Sequence, residues 1–543
     1  MGEGLDFYES VIPEFCDSAV AATFLTNKSL LASLVEATCG HDYFRNKANL
    51  SFCLSRISAT DRVSLLRKAG YKKDSSEFSE QATWVLASEK NYRAFIEAAS
   101  LDARFLSTKQ KAREAFFTNQ NASTNAPKTL QRPFKQLKPY QYACYASTQH
   151  LLKPINARAL LQMPTGSGKT RTAAELIASH LNEAGQRQVV WLANTRELCE
   201  QAVQCVSDVW DHLGQRDCVF NRFWGATAKK VPDWSDADCV FTVASLASAW
   251  QKLDSDDDDF AALFQSTSLI IVDEAHIAVA PTYAQIIKSL ARISSAKILG
   301  LTATPGRTED KENSALADLF FGKIASLEDP DSRRGNAIAY LRSEGVMSAA
   351  FHQELASGAN VALRQTEISK LHEGADFSDK LLKKLGVDRD RSIAIVRALI
   401  NVLEQDAKVI FFAPSVESSK LISSVLVFLG YKSTHVSGDT PTAVRDSLID
   451  RYVAGDYQIL CNFGVLATGF DAPKVDVVCI ARPTTSAVLY SQMIGRGLRG
   501  PAVGGTDQCL VLEVRDNFVG QPIQDRLYDE FKDYWLTDAP HHE

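Results

Sequence analysis

Apolar positions along this chain fall into two repeated rhythms. From about residue 130 to 325, short apolar runs alternate with segments whose apolar residues recur every three or four positions. The clearest runs are 188–193 (Gln-Val-Val-Trp-Leu-Ala), 238–243, 268–273 and 296–301 (Ala-Lys-Ile-Leu-Gly-Leu). A further run, Leu160-Leu161-Gln162-Met163, leads into a glycine-rich turn, after which Ala173, Leu176, Ile177 and Leu181 recur at helical spacing. This alternation predicts a parallel sheet with helices on both faces. It resumes at 408–413, 458–461, 475–480 and 509–514, predicting a second α/β lobe that ends near 520. The intervening residues 326–392 are charged and irregular, and read as a connecting segment. Residues 1 to about 120 read as helical, with apolar positions such as Leu30, Leu31, Leu34, Val35, Val63, Leu65 and Leu66. The polar stretch 118–127 (Thr-Asn-Gln-Asn-Ala-Ser-Thr-Asn-Ala-Pro) reads as a linker. The expected division is a helical accessory domain over 1–125, a first lobe over 130–325, the connection 326–392, a second lobe over 393–520 and a tail over 521–543.

Composition narrows the class of protein without naming a function. A length of 543 residues suits about three or four domains, and an apolar content of 45% is ordinary for packed protein. The net charge of −6 gives no global basic field, so any nucleic-acid surface must be local. The 11 cysteines occur singly, without a Cys-x-x-Cys pair, which argues for a reducing compartment and against a zinc module. The N-terminal twenty residues are acidic (Glu3, Asp6, Glu9, Glu14, Asp17), and no run approaches the length of a membrane helix. A cytoplasmic protein with no membrane association is expected. The run Asp256-Asp257-Asp258-Asp259 reads as a solvated loop, because flanking ligands and turn glycines are missing.

Two segments carry chemistry. Residues 163–170 read Met-Pro-Thr-Gly-Ser-Gly-Lys-Thr, with Met163 where the strict phosphate-loop pattern begins on glycine. Small residues in such a loop let backbone N–H groups approach phosphates; Lys169 would reach the β/γ oxygens and the Thr170 hydroxyl would ligate Mg²⁺. Residues 269–276 read Leu-Ile-Ile-Val-Asp-Glu-Ala-His, an apolar strand ending in paired carboxylates. There Asp273 can hold the metal and Glu274 can orient a water. Nucleotide hydrolysis with ATP and Mg²⁺ is the expected chemistry.

The second lobe adds Arg496 and Arg499, three apart on one helix face within Gln492-Met493-Ile494-Gly495-Arg496-Gly497-Leu498-Arg499. The planar, permanently charged guanidinium suits charge that develops on a transferring phosphate. Upstream lies the small-residue turn Ala467-Thr468-Gly469-Phe470-Asp471-Ala472-Pro473.

Taken in order over about 135–515, these segments resemble the motifs of a superfamily 2 helicase or translocase. Lys138-Pro139-Tyr140-Gln141 is similar to the family's upstream glutamine motif, and Thr165, Gly166, Ser167, Gly168, Lys169 and Thr170 to motif I. Ala193-Asn194-Thr195-Arg196-Glu197-Leu198 resembles motif Ia, Thr242 to Ser245 motif Ib, Asp273 to His276 motif II, and Thr302-Ala303-Thr304 motif III. Phe411 to Pro414, Thr468 to Asp471 and Gln492 to Arg499 resemble motifs IV, V and VI. Within the superfamily the chain resembles the bacterial RadD helicases and, more distantly, the motor subunits of type I restriction enzymes. The run Ser437-Gly438-Asp439-Thr440-Pro441, Arg445-Asp446 and Arg482-Pro483-Thr484 carries that likeness. It does not extend to residues 1–130, nor to the cysteine-rich tail usual in RadD-like proteins.

The resemblance implies two tandem RecA-like lobes with ATP in the cleft between them. Gln141 would read adenine, while Gly469 and Asp471 would approach the nucleotide. His276, Thr302, Thr304 and Gln492 would couple the cleft to the strand-binding face. Thr195, Arg196, Thr242, Ser245 and Thr468 would contact nucleic-acid phosphates, although serine and threonine at strand ends also commonly cap helices. Three functional classes fit: a DNA-dependent motor acting in repair or in an anti-phage or restriction system, an RNA helicase, and an ATP-gated scaffold recruited by a partner. Asp-Glu-Ala-His, Thr-Ala-Thr and the Gln-x-x-Gly-Arg-x-x-Arg pattern favour DNA. Residues 1–125 would be a docking module for a partner protein or a cap on the first lobe.

Overall fold

A computed structural model describes residues 43–99 and 134–536, less 46, 56, 74–76, 100–133, 225–236, 255–266, 277–280, 294, 304–315, 317, 328–336, 373–374, 467–473 and 519–524. The linker expected at 118–127, the acidic run 256–259 and Leu30 to Val35 lie outside the described residues.

The first lobe is built on β1 (Arg158–Gln162), β2 (Arg187–Ala193), β3 (Val219–Phe223), β4 (Cys239–Ser245), β5 (Leu269–Val272), β6 (Lys297–Thr302) and β7 (Ile324–Ser326). They form one parallel sheet in the order β3-β4-β2-β5-β6-β1-β7. The central strands have apolar interiors because both faces are covered, with polar residues such as Arg158, Gln162, Arg187 and Lys297 at their ends. In β2, Val189 and Trp191 pack on one face while Val190 and Leu192 pack on the other. Full burial of each such side chain contributes about 1.5–3 kcal/mol. Crossover helices Lys169–Leu181 and Arg196–Leu213 cover the first of these faces. The second of them starts cleanly because Thr195 accepts a hydrogen bond from the Leu198 N–H.

The second lobe uses β8 (Ala349–Val361), β9 (Val409–Phe412), β10 (Ser433–Ser437), β11 (Ile459–Phe463), β12 (Val477–Ile480) and β13 (Gln508–Phe518). Its order is β10-β11-β9-β12-β13-β8, again parallel throughout. Two parallel-sheet α/β lobes therefore follow one another, each of RecA-like form. Residues 326–392, read from sequence as a connection, contain β8, which pairs with β13 and forms an edge of the second sheet. Beyond 520, helix Asp525–Glu530 and Trp535 dock on the same edge: the Leu536 N–H bonds to the Ala350 carbonyl, and Leu527, Phe531 and Trp535 are buried.

The N-terminal unit is helical. Helices Lys47–Ser55, Ala59–Lys68, Phe78–Leu86 and Glu89–Ala98 enclose Leu50, Leu54, Leu66, Ala82, Val85, Tyr92, Phe95 and Ile96. Every member of that cluster comes from the unit itself.

Strand β10 carries an imidazole that predicts acid sensitivity. His435 bonds through Nδ1 to Ser419 Oγ at 2.6 Å, and burial aided by Lys420 pushes its pKa down to about 3. The unfolded chain would protonate this group below its ordinary value of 6.5, whereas the folded lobe would not. Stability is thus complete above that value and falls as pH drops through the window below it, by about 1.4 kcal/mol per unit. Denaturant unfolding of the second lobe at pH 7.5 and 5.0 should show this loss, and His435→Gln should shrink it by about that amount per unit.

Candidate active site

The glycine-rich loop leaves β1 and enters helix Lys169–Leu181 through two left-handed glycines, Gly166 (φ +83°) and Gly168 (φ +92°). The left-handed backbone at Gly168 requires glycine, and a Cβ there would also push aside the Gln141 amide. The loop is held from behind: the Ser167 carbonyl accepts the Tyr140 hydroxyl at 2.9 Å and Gln141 Nε2 at 3.0 Å. Gln141 Oε1 in turn accepts the Lys138 N–H at 2.9 Å. Each end of the amide makes one bond within the protein, which leaves the second Nε2 hydrogen and the second Oε1 lone pair for a base edge. The Ser167 hydroxyl donates to the Pro164 carbonyl at 2.6 Å and its N–H to the same carbonyl at 3.1 Å, which closes the loop on itself at this residue.

Lys169 Nζ donates to the Met163 carbonyl at 3.1 Å. Desolvation lowers its pKa, Glu274 and Asp273 act against that shift, and Arg496 adds to it. Thr170 sits beside it in the first helical turn, partly exposed. Asp273 follows β5 and is buried; desolvation, then the neighbouring Glu274, push its pKa up to about 7 while Lys169 opposes the shift. The Glu274 N–H donates to Asp273 Oδ1 at 3.0 Å, and Glu274 itself is held at φ +47°. Left-handed backbone is costly for a residue with a Cβ and marks a tightly specified turn. His276 Nδ1 stands 3.3 Å from Glu274 Oε2. Thr302, fully buried at the end of β6, accepts the Met163 N–H through its carbonyl and so ties motif III to the loop.

The second lobe closes on this loop. A Cβ at Gly495 would collide with Thr165, and one at Gly166 would lie 3.8 Å from Arg499 Cγ. Arg496, whose Nε donates to the Gln492 carbonyl at 3.3 Å, has its pKa pushed down to about 10 by burial, against the attraction of Glu274. Burial also lowers that of Arg499. Lysine, two carboxylates and two arginines from both lobes therefore share one cleft. Gln492 is buried at the base of the arginine segment.

The expected phosphate contacts fare unevenly. Arg196 is exposed, its Nε 3.9 Å from Glu200. Thr195 and Ser245 spend their hydroxyls as helix caps, accepting the N–H groups of Leu198 and Ser248. Thr242 is a correction: its side chain is buried within the sheet, with Asn221 Nδ2 at 3.4 Å, because it lies mid-strand in β4 rather than at its end. Thr304, Thr468, Gly469 and Asp471 lie outside the described residues.

Sequence reasoning missed three features. Arg445 forms an ion pair with Glu197 of the first lobe, joining helices that start at Thr442 and Arg196. Tyr140 clamps the phosphate loop. Tyr490 donates to Glu513 Oε2 at 2.9 Å, which His352 also meets at 2.8 Å, anchoring helix Ala487–Ile494 to β13 and β8; that helix ends at Ile494, so Arg496 and Arg499 follow it in a turn rather than sharing a helix face as the spacing suggested. The spacing of Tyr140 beside Gln141 could have suggested the second; the other two depend on tertiary pairing.

Residues 134–307 match the family model of the type III restriction enzyme res subunit, and residues 393–500 match the helicase conserved C-terminal domain. The first of these matches agrees with the likeness to restriction motor subunits. The putative ATP-dependent helicase IRC3 of Saccharomyces cerevisiae is 24% identical over 380 residues, covering 67% of this chain and 49% of its own length. A 51.5 kDa protein of a Lactococcus phage is 25% identical over 344 residues, covering 63% of this chain and 62% of its own. The chain thus spans about half to three-fifths of these relatives. The DNA-bound structure of the DUF1998 helicase MrfA shares the fold, with TM-score 0.52 and 15% identity over 74% of this chain and 49% of that one. Motifs that the two lobes bring to one cleft, each lobe matched by a helicase-type domain model, place this chain in helicase superfamily 2.

Proposed function

We propose that the chain is a DNA-dependent ATPase that translocates along or remodels DNA, acting in repair or in a multi-protein anti-phage or restriction system. The observation that carries this reading is the seating of the Gly495–Arg499 segment against the Thr165–Gly166 turn across the lobes. In it, ATP would lie between the lobes, with Lys169 turning from the Met163 carbonyl to the phosphates. The donor set fits a hard divalent cation: a hydroxyl at Thr170 and a buried carboxylate at Asp273, the rest of such a cation's ligands being waters and phosphate oxygens. Bound there, Mg²⁺ would neutralise phosphate charge. Glu274, steadied by His276, would orient the attacking water, and Arg496 and Arg499 would meet the charge that develops on the γ-phosphate. The arginines reach phosphate only when the lobes are together, so hydrolysis would weaken closure and couple ATP turnover to lobe motion.

Relatives named as DNA helicases and one named as an RNA helicase are both known, so substrate choice rests on the DNA-type motif set. ATPase rates with saturating single-stranded DNA, duplex DNA and RNA decide it. Stimulation by DNA well above that by RNA is expected; the reverse order would make the chain an RNA helicase. Residues 474–492 hold only β12, a short turn and the start of helix Ala487–Ile494. That leaves no strand-splitting hairpin in this stretch and favours translocation over long-duplex unwinding.

The N-terminal unit is read as a docking module for a partner protein, because its helices bury a core of their own instead of lending it to the first lobe. Deleting residues 1–125 should leave DNA-stimulated ATPase activity within about twofold in vitro and abolish activity in the cell. Insolubility or loss of ATPase activity would make the unit a structural cap.

A further inference from the structure

Trp191 is the one fully buried tryptophan of β2, and its position is chemically pointed. It pairs in register with Ile271 of β5, and Asp273 lies two residues further along, so the two side chains are diagonal neighbours on the same sheet face. Its own strand neighbours, Val190 and Leu192, pack on the opposite face. The indole Nε1 stands short of full hydrogen-bond geometry toward the Asp273 carboxyl, yet near enough to favour its charge. A buried N–H without a partner is costly, and a phenylalanine would fill an apolar strand interior without that cost. The Asp273 carboxyl has a backbone partner already, the Glu274 N–H on Oδ1.

We propose that Trp191 is a positioning residue whose indole N–H closes onto the Asp273 carboxylate when a divalent cation enters, and so fixes the orientation in which Asp273 binds the cation. Partners of this kind behind ligating carboxylates typically change metal affinity by about 10–100-fold when removed. The inference rests on the ATP-site reading of Asp273, and its test separates the two.

The readout is ATP affinity of the full chain by calorimetry, with Mg²⁺ and with EDTA, for wild type, Trp191→Phe, Trp191→His and Asp273→Asn. In wild type, Mg²⁺ should tighten binding, and Asp273→Asn should remove most of that gain. Trp191→Phe should cut the gain at least about fivefold and leave affinity in EDTA unchanged, which also reports an intact fold. Trp191→His should recover part of it, since imidazole Nε2 stands two bonds from Cγ, as indole Nε1 does. A purely structural role predicts the opposite order, phenylalanine packing better than histidine. The proposal is overturned if Trp191→Phe keeps the full Mg²⁺ gain, or if histidine is no better than phenylalanine. Absence of ATP binding by wild type, or a Mg²⁺ gain untouched by Asp273→Asn, would instead sink the ATP-site reading itself.

Discussion

Replacing Lys169 with alanine should abolish measurable ATP hydrolysis, a loss of at least about 10³-fold, while the two-lobe fold persists. In the structure this ammonium donates to one carbonyl and lies within electrostatic reach of two carboxylates, so its removal breaks a single hydrogen bond and leaves Asp273 and Glu274 without their compensating cation. That lost compensation should raise the Asp273 pKa further, because the lysine charge now opposes the shift caused by burial. The companion variant Glu274→Gln keeps the shape of the turn and its contact distance to His276, but cannot accept a proton from water. It should bind ATP with near wild-type affinity and turn over about 10²–10⁴-fold more slowly. Turnover within a few-fold of wild type in either variant would remove these residues from the reaction.

Arg496→Ala and Arg499→Ala should each lower kcat by about 10³-fold, with much smaller changes in ATP affinity, as befits donors that meet charge formed only in the transition state. Arg496 should show the larger defect, since its guanidinium is the one close enough to interact with Lys169 and Glu274. Lysine should not rescue either position, because a point charge cannot reproduce the planar fork. Equal losses in binding and turnover would mean that the arginines hold ground-state phosphate.

Much of this machinery was legible because it is built from local patterns. The nine apolar runs read from sequence correspond to β1, β2, β4, β5, β6, β9, β11, β12 and β13, whose apolar residues are buried. The strands that escaped notice lack that signature. β10 reads Ser-Thr-His-Val-Ser and packs its hydroxyls and imidazole against Ser419 and Ser423 of the preceding helix, a buried surface made of polar groups. β8 is an edge strand whose exposed positions include Gln353, Glu354, Ala356 and Asn360, so its pattern reads as irregular. At the site, residue types and spacing gave the loop, the carboxylate pair and the arginines. They could not give Thr242's burial, which follows from its mid-strand register beside Asn221, or the Arg445–Glu197 pair, which joins residues 248 apart. The engagement of Gln141 with the loop backbone depends on distances that no spacing encodes.

One cleft between two lobes should hydrolyse ATP in response to a bound polynucleotide. The most direct measurement is the steady-state ATPase rate of the full chain, with and without saturating single-stranded DNA, alongside Lys169→Ala. Expected are a low basal rate, a rise of at least about tenfold with DNA, and no activity in the variant under either condition. A wild-type rate that stays flat with DNA, duplex and RNA alike, or a Lys169→Ala rate equal to wild type, would contradict it.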